Sequence, residues 1–308
     1  MYILTIFASI AILTGVSQAY AQAPVPVQTF TTTHSAFKPS SSSSLPPAQR
    51  CTQTMNLYGA KPTAAGTYPL LLYVPGTYGD YTDAEGKLFV QHAAAQGFVA
   101  VAVEYDSSIT NTNAGHQGQA FCMFDQSHPN SALSNACAVA GADCSRGALV
   151  TGFSQGGAIA LISKNYTPNV NAVWTLGVSA EIYPSNTVPA NAIAAPNGTR
   201  VLPNNKLVMN MGQATNIFTK NLASYDLPSL KAMTGANCGT SFQCLQTDGS
   251  GYYVVANSEV ADNNADHCYW TKSCSLSPSS LEVGFQPPAT TQWTLIRNLD
   301  WLRSQLSI

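Results

Sequence analysis

Ser154 stands at the centre of Gly152-Phe153-Ser154-Gln155-Gly156, a Gly-x-Ser-x-Gly pattern. In this pattern the serine occupies a sharp turn between a strand and a helix, and its Oγ projects beyond the sheet as a nucleophile. The flanking residues favour that setting, because 148–151 form an apolar run and 155–164 predict a helix rich in small residues. The alternative is that the glycines only allow close packing of a helix on a strand. We predict that Ser154 attacks a carbonyl carbon.

His267 is the candidate general base, since it is the one histidine of five that follows Ser154. It lies beyond a predicted strand at 252–256, in the polar stretch 262–268. Ligands of open α/β sheets bind outside the carboxyl ends of the strands. Where a serine of this pattern is the nucleophile, the histidine comes last in the chain. The alternative is an exposed loop histidine with no chemical role.

The carboxylate that orients the histidine is expected between these two residues in the chain. Its usual place follows the predicted strand 206–211, but residues 212–216 contain no Asp or Glu. Glu181 follows the preceding predicted strand, 172–178, and would lie at the same edge of the sheet. We therefore predict Glu181 as the acid, and Asp226 is the alternative.

Two backbone N–H groups are candidates to stabilise a negatively charged oxygen in the transition state. One belongs to Gln155, at the predicted helix N-terminus, where the helix dipole also favours negative charge. The other belongs to Thr77, in Pro75-Gly76-Thr77 directly after the apolar run 69–74. A loop in this position supplies the second donor beside such a serine. The alternative for 75–77 is an ordinary Pro-Gly turn.

Short apolar runs alternate with helical patterns along the chain. Runs of this kind are typical of strands buried on both faces, and helices between them indicate a mostly parallel sheet. The pattern predicts an α/β fold with helices on both faces of the central sheet. The predicted strands are 69–74, 98–103, 148–151, 172–178, 206–211 and 252–256, and the predicted helices are 88–96, 155–164 and 293–306.

The N-terminal residues differ in texture from the rest of the chain. Residues 3–16 are mostly apolar and precede Ala19-Tyr20-Ala21, so 1–21 predict a signal peptide cleaved after Ala21. An uncleaved membrane anchor is the alternative, although the apolar stretch is short for a span. Residues 22–50 are rich in Pro, Ser and Thr and predict a flexible segment. Residues 51–308 then form one catalytic domain, with no later membrane span.

Composition bears on partners and on the compartment. The net charge is −2 with 9% charged residues, and without a basic run no nucleic-acid partner is expected. Eight cysteines and a predicted export signal favour disulfides in a secreted or periplasmic protein. No CxxC or HxxxH spacing occurs, so no metal site is expected. The close pairs suggest local bridges: Cys137/Cys144, Cys238/Cys244 and Cys268/Cys274, which leaves Cys51 and Cys122.

At Pro75-Gly76-Thr77 and Gly152-Phe153-Ser154-Gln155-Gly156 the chain resembles the α/β-hydrolase superfamily, including secreted esterases, cutinase-like enzymes and polyester hydrolases. The resemblance spans most of 69–306. It implies carboxyl-ester hydrolysis through an acyl-enzyme, with no metal or organic cofactor and a small-molecule or polymeric ester as substrate. The missing acid after residue 211 departs from the polyester-hydrolase pattern.

Two other functions stay open on the sequence. One is a non-catalytic α/β-hydrolase-fold binding module, which the missing acid favours and the retained Ser154 and His267 oppose. The other is a serine peptidase of the same fold. We expect a monomer, and whether residues 107–146 form a lid over the site is left open.

Overall fold

The computed structural model describes residues 24–38, 50–77, 84–107, 113–178, 201–214, 227–272, 280–289 and 291–306. Within these ranges one nine-stranded sheet has the order β1-β2-β4-β3-β5-β6-β7-β9-β8. The strands are β1 (Val27–Phe37), β2 (Cys51–Pro62), β3 (Tyr68–Val74), β4 (Val99–Val103), β5 (Ala142–Phe153), β6 (Val170–Leu176), β7 (Leu207–Gly212), β8 (Gln243–Leu245) and β9 (Gly251–Val255).

The centre of the sheet is parallel. Strands β4, β3, β5, β6, β7 and β9 run in one direction, whereas β1, β2 and β8 pair antiparallel at the margins. The parallel strands are apolar and buried on both faces, as their continuous hydrophobic runs predict. Their carboxyl ends meet at one edge, which we call the carboxyl edge.

Helices cover both faces of the sheet. They are α1 (Ala84–Ala95), α2 (Asn113–Phe124), α3 (Ala132–Cys137), α4 (Ser154–Ile162), α5 (Leu227–Thr234) and α6 (Leu295–Ser304). The apolar side chains of α1 and α6 share one core cluster, and those of α2 to α5 share the cluster on the opposite face. The predicted α/β fold with a mostly parallel sheet is confirmed.

The prediction of a flexible segment over 22–50 is wrong for residues 27–37. These residues form β1, which pairs along its length with β2, from Val27↔Pro62 to Phe37↔Cys51. Backbone hydrogen bonds with β2 order this Thr-rich segment, and threonine is itself favoured in strands. The imidazole of His34 is buried and donates from Nε2 to the carbonyl oxygen of Glu104 (2.8 Å), so this histidine belongs to the folded domain.

Disulfides brace this domain. Cys51–Cys122 ties the start of β2 to α2, while Cys137–Cys144 and Cys238–Cys244 close short loops. The two short bridges are pairings that the spacing suggested, and Cys51–Cys122 joins two cysteines that it left over. Cys268 is also disulfide-bonded, but its predicted partner, Cys274, lies outside the described residues.

Much of the segment that might have formed a lid is part of the core. Helix α2 packs on β1 and α4, and α3 packs on β1. Ala120, Phe124 and Leu133 of these helices are fully or almost fully buried in the sheet core. The predicted signal peptide, 1–21, lies outside the described residues. Among the residues described, no helix has the length and apolarity needed to cross a membrane.

Candidate active site

Ser154 lies at the junction of β5 and α4, in the middle of the carboxyl edge. Its φ of 51° is in the left-handed region, which a non-glycine residue seldom adopts. The neighbouring glycines are required by close backbone contacts. A Cβ on Gly156 would overlap the carbonyl oxygens of Val74 and Pro75, and one on Gly152 would overlap the carbonyl of Gly156. The strand, the sharp turn and the helix of the predicted nucleophile site are therefore all present.

The loop after β3 runs directly beside this serine. A Cβ placed on Gly76 would lie 3.3 Å from the Ser154 Cβ and 2.8 Å from Cδ1 of Phe153. Thr77, the next residue, is partly exposed. Gln155 belongs to the first turn of α4, where N–H groups have no acceptor within the helix. The loop that carries Thr77 therefore lies beside Ser154 and the first turn of α4, which contains Gln155.

Tyr105, which the sequence did not single out, connects the two flanking segments. It follows β4, and its side chain is buried, with only 4% exposed. Its hydroxyl donates to the carbonyl oxygen of Pro75 at 2.8 Å and lies 3.4 Å from Oε1 of Gln155. Burial raises the pKa of this hydroxyl, so the phenol stays protonated at neutral pH.

His267 reaches the same edge from the loop after β9. Its ring lies 4.8 Å from the ring of Phe153, measured between centroids, and Phe153 immediately precedes Ser154. On another side the ring abuts Gly177, which follows β6. A Cβ on Gly177 would lie 3.1 Å from both Nδ1 and Cε1 of His267. The predicted base therefore packs on Phe153, the residue directly before the predicted nucleophile.

The loop that carries His267 is held against the end of β7. A Cβ on Gly212 would overlap the carbonyl oxygens of Ala265 and Asp266, so the loop crosses β7 where only glycine leaves room. The N–H of Ala214 donates to the carbonyl of Ala265 (2.8 Å), and the N–H of Ala265 donates to Oδ1 of Asn257 (3.0 Å). These contacts fix the backbone two residues before the histidine.

Burial lowers the pKa of His267 from 6.5 to about 4, because the cationic imidazolium loses hydration in this site. The ring is therefore neutral at neutral pH, as a proton acceptor must be. Nδ1 is buried, and no residue within the described ranges forms a hydrogen bond with it. The residue as a whole is partly exposed.

The carboxylates of the described loop around His267 are engaged elsewhere. Each accepts a hydrogen bond from a group nearby in the chain: Glu259 from the Tyr253 hydroxyl and the Ala256 N–H, Asp262 from the Asn264 N–H, and Asp266 from the Cys268 N–H. Asp248 lies in the turn before β9, at the opposite edge of the sheet. The predicted acid Glu181 and its alternative Asp226 both lie outside the described residues.

The described part of the chain contains no cluster of three or more His, Cys, Asp or Glu side chains that could hold a metal ion. Phe153, Gly177 and Gly212 were not assigned roles from the sequence, although each directly adjoins a predicted site residue or ends a strand. The sequence did offer one signal for Gly177 and Gly212: each is a glycine at the end of a buried strand, where close backbone contacts often require glycine.

Ser154 lies in the strand–turn–helix setting that the Gly-x-Ser-x-Gly pattern predicts. No known family profile and no curated protein matches the chain. The chain is similar to a solved structure of a candidate dienelactone hydrolase from Klebsiella pneumoniae, with a TM-score of 0.42 and 15% identity, over 74% of this chain and 85% of that one. A second similar structure is a hypothetical protein from Pseudomonas aeruginosa, with a TM-score of 0.37 and 16% identity, over 54% of this chain and 46% of that one. We therefore infer the activity from this chain's own residues.

Proposed function

We propose that the protein is a secreted serine hydrolase that cleaves carboxylic esters through an acyl-enzyme on Ser154. The observation that carries the proposal is the left-handed backbone of Ser154, with φ of 51°, at the junction of the central parallel strand β5 and helix α4. A non-glycine residue held in this conformation is strained, and such strain is concentrated at functional sites. Gly76, in the loop that carries Thr77, lies beside this serine, and Phe153, the residue before it, packs against His267.

In the proposed reaction, His267 removes the proton of the Ser154 hydroxyl as Oγ bonds to the ester carbonyl carbon. The N–H groups of Thr77 and Gln155 donate to the oxyanion of the tetrahedral intermediate. The carbon–oxygen bond to the alcohol then breaks, and protonated His267 returns its proton to the leaving oxygen. Water, deprotonated in turn by His267, attacks the acyl-enzyme and releases the carboxylic acid and free Ser154.

Glu181 is the proposed acid that orients His267. The buried Nδ1 of His267 lies against Gly177, only four residues before Glu181 in the chain. Asp226 directly precedes Leu227, the first residue of α5, for which no contact with His267 is described. The contact of Nδ1 with the segment that leads to Glu181 favours Glu181. An ionised carboxylate there would hold the tautomer with the proton on Nδ1 and leave Nε2 as the base.

Secretion is part of the same proposal. The disulfide bridges support folding in an oxidising compartment, because intact structural disulfides are rare in the cytosol. The predicted signal peptide, 1–21, agrees with export.

The test measures hydrolysis of short- and long-chain p-nitrophenyl esters by the native protein and by Ser154→Ala. Ser163→Ala is the matched control, since Ser163 is buried just beyond the other end of α4. We expect the native protein and Ser163→Ala to be active, and Ser154→Ala to fall to background. A fluorophosphonate probe should add to Ser154, as peptide mass mapping would show. Full activity of Ser154→Ala would overturn the proposal, and a folded native protein inert to both reagents would favour a binding module.

A further inference from the structure

The hydroxyl of Tyr105 contacts both segments that carry the proposed oxyanion donors, the loop after β3 and the start of α4. Pro75, whose carbonyl accepts the hydroxyl proton at 2.8 Å, lies two residues before Thr77. Gln155, whose side-chain amide lies 3.4 Å from the hydroxyl, carries the other donor on its own backbone. These segments come from different parts of the fold, one after β3 and one at the start of α4. Tyr105 itself comes from a third place, after β4.

The two contacts of the Tyr105 hydroxyl differ in length. A phenol has one proton, and the shorter bond, to Pro75, uses it. The contact with Oε1 of Gln155, at 3.4 Å, is the longer of the two. Tyr105 is therefore the shared neighbour of both segments.

The surroundings make this contact rigid. The Tyr105 ring packs in the core cluster that includes Val74 of β3, Val103 of β4 and Ala158 of α4. Those residues belong to the same elements that carry the ring and the two segments. A buried hydroxyl that lost its partners would remain desolvated, which costs free energy. The loop and the helix are thus fixed relative to one another through a side chain that touches neither Ser154 nor His267 in any described contact.

We propose that Tyr105 is a positioning residue, which sets the distance between the Thr77 and Gln155 N–H groups so that both reach one oxyanion. The proposal rests on the proposed ester hydrolysis. Oxyanion donors act only when they lie 2.7–3.1 Å from the developing charge. A shift of about 1 Å in such geometry can cost roughly 100-fold in rate. Loss of the Tyr105 hydroxyl should therefore affect the transition state more than substrate binding.

The test compares Tyr105→Phe with Tyr252→Phe. Tyr252 is a matched control, because its ring is buried in the same core cluster and its hydroxyl donates to the Ser241 carbonyl (3.1 Å) in the β8–β9 region. For each variant we would measure kcat and KM on a p-nitrophenyl ester, and the inhibition constant of an alkylboronic acid, which forms a tetrahedral adduct with a reactive serine. Thermal unfolding of both variants reports their stability.

We expect Tyr105→Phe to lower kcat about 10- to 100-fold, to weaken boronic acid binding by a similar factor and to leave KM within about twofold. Tyr252→Phe should leave all three constants within about twofold. The proposal is overturned if kcat and boronate affinity of Tyr105→Phe stay within twofold of the native protein while Ser154→Ala is inactive. It is also overturned if Tyr252→Phe shows the same losses. Full activity of Ser154→Ala would instead refute the ester hydrolase mechanism itself.

A second variant covers the case in which Tyr105→Phe does not fold. Gln155→Met keeps the length of the side chain but removes its amide, and so removes the contact with Tyr105 from the other side. A folded Gln155→Met should show the same fall in kcat and boronate affinity with KM nearly unchanged. Native values of both constants in this variant would overturn the proposed positioning.

Discussion

Replacing Gly177 by alanine tests whether the position of the His267 ring governs turnover. Gly177 has φ of +61°, and its added Cβ would lie 3.1 Å from Nδ1 of His267 and 3.0 Å from Cε2 of Phe153. Two effects follow. Alanine is strained in the left-handed conformation, which lowers the free energy of unfolding by about 1–2 kcal/mol. The new methyl group also pushes on the proposed base.

The size of the second effect can be worked from the distances. Ordinary contact begins at 3.4 Å, so the ring must move by about 0.3 Å to relieve the contact at 3.1 Å. If a displacement of about 1 Å costs roughly 100-fold in rate, 0.3 Å costs about fourfold. The expected result for Gly177→Ala is therefore a kcat at least about fourfold lower, with KM nearly unchanged.

Gly239→Ala separates strain from contact. Gly239 has φ of +64°, close to that of Gly177, but a Cβ there meets nothing within 4 Å. This variant should lose a similar part of its stability to backbone strain and keep its native kcat. The assay is steady-state ester hydrolysis at a temperature well below both unfolding midpoints. Equal kcat values for the two alanine variants would refute the reasoning, because the contact with His267 would then have no effect on turnover.

Three further predictions concern the acid, the pH dependence of stability and the disulfides. Burial holds the pKa of His267 near 4, and an ionised carboxylate on Nδ1 would oppose that shift. Glu181→Gln should therefore move the acid limb of the kcat/KM profile toward lower pH and reduce kcat by several orders of magnitude, whereas an unchanged profile would point to Asp226. Two buried histidines outside the proposed site have a pKa lowered from 6.5 to about 4: His34 and His116. Between pH 6.5 and 4 the unfolded chain binds protons on these groups and the folded chain does not. The free energy of unfolding, measured in urea, should therefore fall as pH decreases through that window, by up to about 1.4 kcal/mol per pH unit for each histidine. A flat profile would contradict this. Replacing Cys51–Cys122, with a sequence separation of 71, by two alanines should cost about 4 kcal/mol, and replacing Cys238–Cys244, with a separation of 6, about 2 kcal/mol; urea titration would expose a reversed order.

The setting of the proposed nucleophile could be predicted from the sequence because its determinants are local. The strand, the turn glycines and the helix occupy consecutive residues around Ser154, so their pattern is visible without the fold. His267 was placed by chain order, and the structure brings it to Phe153. The six parallel strands were predicted for a similar reason, since strands buried on both faces leave continuous apolar runs.

The rest depends on contacts between distant residues. Strand β1 is ordered by hydrogen bonds to β2, and its Thr-rich composition alone resembles that of a flexible segment. Tyr105 belongs to no sequence motif. Its contact with Pro75, 30 residues earlier in the chain, forms only when the fold brings both residues to the same edge of the sheet, and its proposed positioning role depends on that contact. The space beside Gly177 is occupied by a ring from residue 267, which no local pattern reveals.

At Ser154 the requirement for a stable backbone conflicts with the requirement for a reactive side chain. Glycine is the residue best suited to a φ of 51°, yet glycine has no Oγ with which to react. Ser154→Gly should therefore relieve the backbone strain and raise the free energy of unfolding, while in the proposed mechanism it abolishes turnover. In the proposed mechanism the serine is therefore kept at this turn at a cost in stability, and its Oγ is the reason.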